Sequence, residues 1–231
     1  MNYLAHAYLS FDNPEILTGN LISDFVKGKK KLDYPPVIQQ GIVLHRDIDT
    51  FTDTHDATRR AKVYFRAAYG LYSGALTDIV YDHFLANDPA EFPTRQPFSE
   101  AGSPKTASPQ GGSDQDQPRD EQDPLASFAA RTYTELAPFA PLFPDKFARM
   151  FPYMRSQNWL YHYRFKDGIF SSFSGLARRA AYMPDPSTAC RIFEDHYLDL
   201  KACYDDFFPA LKAFALSDLR ELAQNSGSGK S

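Results

Sequence analysis

Apolar positions along residues 2–88 recur at steps of three and four, the spacing that lines one face of a helix. Tyr3, Leu4, Ala7 and Tyr8 form a first short stripe. Asn13-Pro14 predicts a helix start, with Asn13 as cap and Pro14 in the first helical position. That helix carries Ile16, Leu17, Leu21 and Phe25 and ends near Gly28. Pro35-Pro36 opens the next, which runs through Ile38, Ile42 and Ile48 to a break at Thr54-His55-Asp56. Val63, Phe65 and Tyr69 continue helically, and a further helix holds Leu76, Ile79, Val80, Phe84 and Leu85. From Cys190 through Phe193, Tyr197, Leu200, Tyr204, Phe207 and Leu211 to Phe214, the alternation predicts one amphipathic helix, kinked at Pro209. No period-two alternation and no internal repeat occurs, so the expected fold is all-α.

Residues 94–124 break the pattern. Ser103-Pro104-Lys105-Thr106-Ala107-Ser108-Pro109-Gln110-Gly111-Gly112-Ser113 leads into an acidic, Gln-rich stretch with almost no apolar residues. Such a segment cannot offset its ordering entropy. It is expected to be a disordered insertion within one helical domain spanning 1–223, because both flanks read as parts of one core. Residues 224–231 are expected to be a disordered tail.

Three polar clusters interrupt the apolar helices: Gly19-Asn20-Leu21-Ile22-Ser23-Asp24, His45-Arg46-Asp47-Ile48-Asp49 and Asp78-Ile79-Val80-Tyr81-Asp82-His83. Asn20 and Asp24, His45 and Asp49, and Asp78 and Asp82 are each four apart, so on a helix each pair shares a face. Carboxylates and imidazoles gathered from several helices form a metal site or an acid/base site, since unpartnered buried charge is too costly to keep. Asp and His suit a first-row divalent ion such as Mn²⁺, Fe²⁺ or Zn²⁺. Asp24, His45, Asp49, Asp78, Asp82 and His83 exceed what one ion needs, which leaves some to orient ligands or move protons. Arg46 suits bidentate phosphate binding. The bland reading of the same residues is helix ends and solvated faces. His6 reads as a satisfied core histidine, His55 as a helix boundary, and His162 and His196 as structural.

Composition narrows the classes. The 231 residues suffice for one domain with a sizeable core. A formal net charge of −4 disfavours a general nucleic-acid binder. Two cysteines, Cys190 and Cys203, cannot form a disulfide framework or a thiolate zinc site, and they fit a reducing, cytoplasmic setting. No apolar run approaches the roughly 18–20 residues of a membrane span, and Met1–His6 does not read as a signal peptide. The absence of Glu-x-x-His, His-Glu-x-x-His and Gly-x-Ser-x-Gly sets aside di-iron, zincin and serine-hydrolase sites.

The ordered set Met1-Asn2-Tyr3-Leu4-Ala5-His6, Thr18-Gly19-Asn20-Leu21, Asp24-Phe25-Val26-Lys27-Gly28, Gly41 through His45-Arg46-Asp47-Ile48-Asp49, Thr52-Asp53 and Asp78 through Asp82-His83-Phe84-Leu85 resembles the acyl carrier protein phosphodiesterase family. The likeness is dense over residues 1–86 and returns around Tyr153–Asp167 and in the C-terminal helix. The resemblance implies a helical fold related to, and distorted from, the HD-type metal phosphohydrolases. It implies hydrolysis of 4′-phosphopantetheine from the serine of holo-acyl carrier protein, aided by a divalent metal, Mn²⁺ in particular. One departure stands out: HD proteins carry adjacent His-Asp, whereas this chain has Asp82-His83.

On this reading the metal ligands come from Asp24, His45, Asp49, Asp78 and Asp82. His83 or His45 is the general acid, and Arg46 stabilises phosphoryl charge. Asn20, Lys27, Arg59 and Arg60 are expected to contact substrate. The basic groups Lys27, Lys29, Lys30, Lys31 and Arg59, Arg60, Lys62, Arg66 are docking surfaces for an acidic carrier or simply solubilising charges. The expected partner is holo-acyl carrier protein, with neither nucleic acid nor membrane. The alternatives are an HD-like hydrolase of nucleotides or small phosphodiesters, and a non-catalytic helical module that binds acyl carrier protein.

Overall fold

The computed structural model describes residues 1–93, 123–180 and 182–227, and every regular element among them is helical. The expected insertion lies outside the described residues except for its last two positions. There Asp123 caps a helix by accepting from the backbone N–H of Leu125 and Ala126.

The helices run α1 (Tyr3–Tyr8), α2 (Pro14–Ile22), α3 (Pro36–Thr54), α4 (Asp56–Tyr69), α5 (Ser73–Ala86), α6 (Pro124–Leu136), α7 (Asp145–Ser156), α8 (Trp159–His162), α9 (Lys166–Arg179), α10 (Pro186–Asp195) and α11 (Tyr197–Gly227). Their starts follow from local chemistry. Asn13 Oδ1 accepts from the N–H of Glu15 and Ile16, and Pro14 begins α2. His55 both ends α3 and caps α4, its ring accepting from Ala57 N–H.

α2 and α3 touch backbone to backbone. A Cβ on Gly19 would lie 2.1 Å from Ile38 O, and one on Gly41 would lie 2.3 Å from Ile16 O. Two mid-helix glycines cost helix propensity, about 1 kcal/mol each against alanine. The close approach they permit is what brings Asn20 of α2 level with His45 of α3.

α3 also packs on α4 and α11, and α5 packs on α1, α4, α9 and α11. One hydrophobic cluster joins both sides of the insertion. Leu4, Ile42, Ile48, Phe65 and Phe84 share it with Leu125, Phe147, Phe173, Phe193, Phe207 and Leu211.

Three expectations need correction. α2 stops at Ile22 and tightens into a 3₁₀ turn at Ser23–Phe25. Ser23 Oγ donates to Ile42 O at that turn, so Asp24 does not continue the helical face of Asn20. The stripe from Cys190 to Phe214 belongs to two helices, broken at His196. The periodicity survives the break because Phe193 and Tyr197 remain in edge contact, with ring centroids 5.3 Å apart. Pro209 lies inside α11, and that helix extends to Gly227, past the expected boundary at 223.

Candidate metal centre

α1, α2, α3, α5 and the 3₁₀ turn after α2 converge on one group of imidazoles and carboxylates. His6 and His45 stack, ring centroids 3.9 Å apart and planes 18° from parallel. His45 Nε2 lies 3.2 Å from Asp24 Oδ1 and 3.2 Å from Asp49 Oδ2. His6 Nε2 lies 3.3 Å from Asp49 Oδ1. His6, His45 and Asp49 offer ligand atoms that all fall within 4.8 Å of one another. A recess of about 20 Å³ opens on His6 and His45, walled by Met1, Asn2, Tyr3, Asn20, Leu21 and Asp24. That is room for a single ion or water.

The tautomer of His6 is fixed by its neighbours. Asn20 Nδ2 donates to His6 O (2.8 Å) and to Ser10 Oγ (3.2 Å), while Ser10 Oγ donates to His6 O (2.8 Å). These bonds turn Asn20 Oδ1 toward His6 Nδ1, 2.8 Å away, and it accepts the Nδ1 proton. The lone pair of His6 therefore sits on Nε2, which has no hydrogen-bond partner and faces a carboxylate oxygen. Two lone pairs turned on each other form a place that a cation would fill. The spacing fits: bonds of about 2.0–2.2 Å to one divalent ion put neighbouring ligand atoms roughly 3–3.5 Å apart. The donor set is of the kind first-row divalent ions accept.

Without an ion, His45 carries the positive charge that balances the carboxylates. Burial, reinforced by His45, lowers the His6 pKa to about 4 and keeps it neutral. Burial also pulls His45 down, but its bonds to Asp24 and Asp49 prevail and lift it to about 9. Asp49 is held well below the usual carboxylate range, because its bond to His45 and the Met1 ammonium outweigh its burial. The hydrogen bond to His45 likewise lowers Asp24.

The remaining expected residues stand elsewhere. Asp82 is fully buried and accepts from the N–H of Leu4 (2.7 Å) and Ala5 (3.2 Å), so both its oxygens hold the first turn of α1. Burial raises its pKa to about 7 against those two donors. Asp78 lies 3.3 Å from the Met1 ammonium, which is also 3.3 Å from Asp49. Burial raises the pKa of Asp78 as well. These two carboxylates contact the start of the chain, Asp82 through the backbone of α1 and Asp78 through the Met1 ammonium.

His83 points away from the group. Its Nδ1 meets Tyr163 O at 2.8 Å and its Nε2 meets Tyr197 Oη at 3.1 Å. The adjacent Asp82 and His83 thus diverge rather than act as a pair. Arg46 donates from Nη2 to Val26 O (2.9 Å) and fastens the segment that follows Asp24. Lys27 is exposed on that segment. Arg59 and Arg60 lie on α4, ion-paired with Asp56 and Asp206.

The residue that sequence reasoning passed over is His6. It does satisfy the role of a buried histidine at Nδ1, but Nε2 is left free. The available signal was its place in the Met1–His6 stretch that carries the family resemblance, although only the fold joins it to Asn20. His55 stands at the helix boundary as expected. His196 pairs with Asp199 (3.5 Å) and packs on Tyr64.

The acyl carrier protein phosphodiesterase family model matches residues 1–103 and 115–211. An acyl carrier protein phosphodiesterase from Salmonella paratyphi A is 29% identical over 215 residues, covering 93% of this chain and 97% of the relative. One from Yersinia pestis is 29% identical over 211 residues, covering 91% and 95%. No solved structure matches. With the match running through every helix that supplies the site, the chain belongs to the acyl carrier protein phosphodiesterase family.

Proposed function

We propose that this protein hydrolyses the phosphodiester linking 4′-phosphopantetheine to the serine of holo-acyl carrier protein, and that it does so with a divalent metal, Mn²⁺, held by His6, His45 and Asp49 with Asp24 beside them. Family membership supports the reaction. The observation that supports the metal is the free Nε2 lone pair of His6, locked by Asn20 to face Asp49.

When bound, the ion would supply Lewis acidity to the phosphoryl oxygens and make water acidic enough to attack at neutral pH. The protein's own groups do the rest. Asn20 holds His6 in the one tautomer that can ligate. Asp24, whose side chain is 67% exposed against 42% for Asp49, is the more open carboxylate of the group. It takes the proton of the attacking water and returns it to the serine oxygen that leaves, so the products form without a free alkoxide. His45 Nε2, 3.2 Å from both Asp24 and Asp49, sets its ligating nitrogen between the two carboxylates. Arg46 acts on the site through the backbone at Val26.

The test is the intact mass of holo-acyl carrier protein after incubation with this protein and Mn²⁺, beside a chelator control. Metal-dependent loss of the phosphopantetheine mass, leaving apo carrier, is expected. An unchanged mass with metal-loaded, folded protein would refute the reading and direct the search to nucleotides and small phosphodiesters.

A further inference from the structure

Next to the imidazole–carboxylate group lies a second, larger space. It is a cavity of about 470 Å³ between α1, α5, α8 and α9, and Asn2 and Tyr3 form part of the wall of both. Its size falls in the roughly 300–1,000 Å³ range of small-molecule clefts. The lining is mixed. Tyr3 and Trp159 give it an aromatic side, their ring centroids 6.4 Å apart. The last turns of α9 give it Ser171, Gly175, Arg178 and Arg179. Neither guanidinium has an ion-pair partner among the described residues, unlike Arg59, Arg60, Arg131 and Arg164. Tyr3 lines both spaces, and its hydroxyl donates to Met150 Sδ at 3.6 Å.

These features match one ligand shape. A pantetheine chain presents a branched apolar carbon, a hydroxyl and two amides, and one end carries an anionic phosphate. Aromatic rings and serine suit the chain, and a free guanidinium suits the phosphate. Resting on the reaction proposed above, we infer that this cavity receives the pantetheine arm of the carrier's prosthetic group, with Arg179 balancing its phosphate, and so delivers the phosphodiester past Tyr3 to His6, His45 and Asp49. The carrier protein itself then stays outside, and specificity for the prosthetic group comes from α8 and α9.

Trp159 is the only tryptophan in the chain, so its emission reports on this cavity alone. Two variants separate the contributions. Gly175→Leu fills the space, and the site tolerates a Cβ, which would meet only Arg178 Nη2 at 3.7 Å; the same change at Gly168 would drive a Cβ to 1.9 Å from His162 O. Arg179→Ala removes the charge at the exposed end of α9. Thermal unfolding of each variant monitors folding. The probes are 4′-phosphopantetheine, pantetheine and decanoate, each titrated with chelator present.

A saturable change in Trp159 emission with 4′-phosphopantetheine is expected. Gly175→Leu should weaken 4′-phosphopantetheine and pantetheine alike by at least about tenfold, or 1.4 kcal/mol. Arg179→Ala should weaken 4′-phosphopantetheine by about tenfold and pantetheine hardly at all. No saturable change at millimolar ligand, unaltered binding by folded Gly175→Leu, or a response to decanoate alone would overturn the inference. The carrier assay keeps the two readings distinct. A parental protein that strips the carrier without any Trp159 response refutes the cavity and leaves the reaction standing. A clear Trp159 response with an intact carrier refutes the reaction and leaves a phosphopantetheine site.

Discussion

At the scale of the residue, the site is defined by which nitrogen of each histidine carries a proton. His6 has Nδ1 committed to Asn20 and Nε2 free. His6→Ala should abolish turnover and lower metal affinity sharply, measured by titration calorimetry. Asn20→Leu leaves His6 in place but unlocks its tautomer, and should weaken metal binding by about 10–100-fold, the usual effect of losing a partner behind a ligand. Asp24→Ala and His45→Ala should each abolish turnover while leaving the helical circular dichroism intact. Unchanged affinity in His6→Ala would remove it from the ligand set.

His45 also sets a pH dependence. Its folded pKa, about 9, lies above the ordinary value of 6.5. A raised value means the protonated form is favoured by folding, so the stabilisation is full below about pH 6.5 and lost as pH rises toward 9. Asp24 and Asp49 are partly exposed, their side chains at 67% and 42%, which screens the pairing. The chelator-treated protein should therefore lose on the order of 1–3 kcal/mol between pH 6.5 and 9. Denaturant titrations across that range check it, and His45→Gln should flatten the slope between pH 7 and 8. Above pH 8 the Met1 ammonium, raised to about 10, contributes in the same direction.

At the scale of the element, the decisive contact is α2 against α3. Gly19→Ala would force a Cβ to 2.1 Å from a backbone oxygen, where nothing flexible can yield. It should cost about 3 kcal/mol of stability, the upper part of the usual overpacking range, and displace Asn20 and Asp24 from His45. Urea unfolding measures the first effect and metal titration the second. His83 gives the opposite signature. It ties α5 to Tyr163 and to Tyr197 at the start of α11. His83→Ala should lose about 2–3 kcal/mol of stability, from lost hydrogen bonds and lost ring packing, yet bind metal normally when folded. A selective loss of metal binding with unchanged stability would return His83 to the site.

At the scale of the whole molecule, charge is distributed unevenly around a net −4. Lys27, Lys29 and Lys30 are exposed on the segment directly after Asp24. An acidic carrier approaching the site would meet them first. Steering by exposed charge is screened over roughly 8–10 Å near physiological ionic strength, so kcat/KM for the carrier should fall as salt rises while kcat holds. Lys29→Glu with Lys30→Glu should reproduce much of that fall at low salt. A salt-independent kcat/KM would mean that docking rests on other contacts.

The helical class, the cap at Asn13, the boundary at His55 and the membership of His45, Asp49 and Asp24 in one group were all legible in the chain. The cap, the boundary and the His45–Asp49 pair rest on local spacing or local hydrogen bonding, which a one-dimensional pattern records, whereas Asp24 was placed with them by the family resemblance. The 3₁₀ turn at Ser23–Phe25 and the break at His196 were not, because the apolar stripe runs through both and only packing shows where the axis changes. Nor did spacing sort the six carboxylates and histidines. Asp82 and His83 are neighbours in the chain and point to different helices, whereas His6 and Asp49 are 43 residues apart and 3.3 Å apart in space. Which polar side chains meet depends on the backbone contact of Gly19 with Gly41 and on α1 being pinned by Asp82. The sequence by itself therefore determined that helices would carry a cluster of acidic and imidazole groups. Only the tertiary structure decided that His6 lies against His45 and Asp49 while Asp82 turns to the backbone of α1 and His83 to Tyr163 and Tyr197, because which polar atoms face one another depends on how the helices pack.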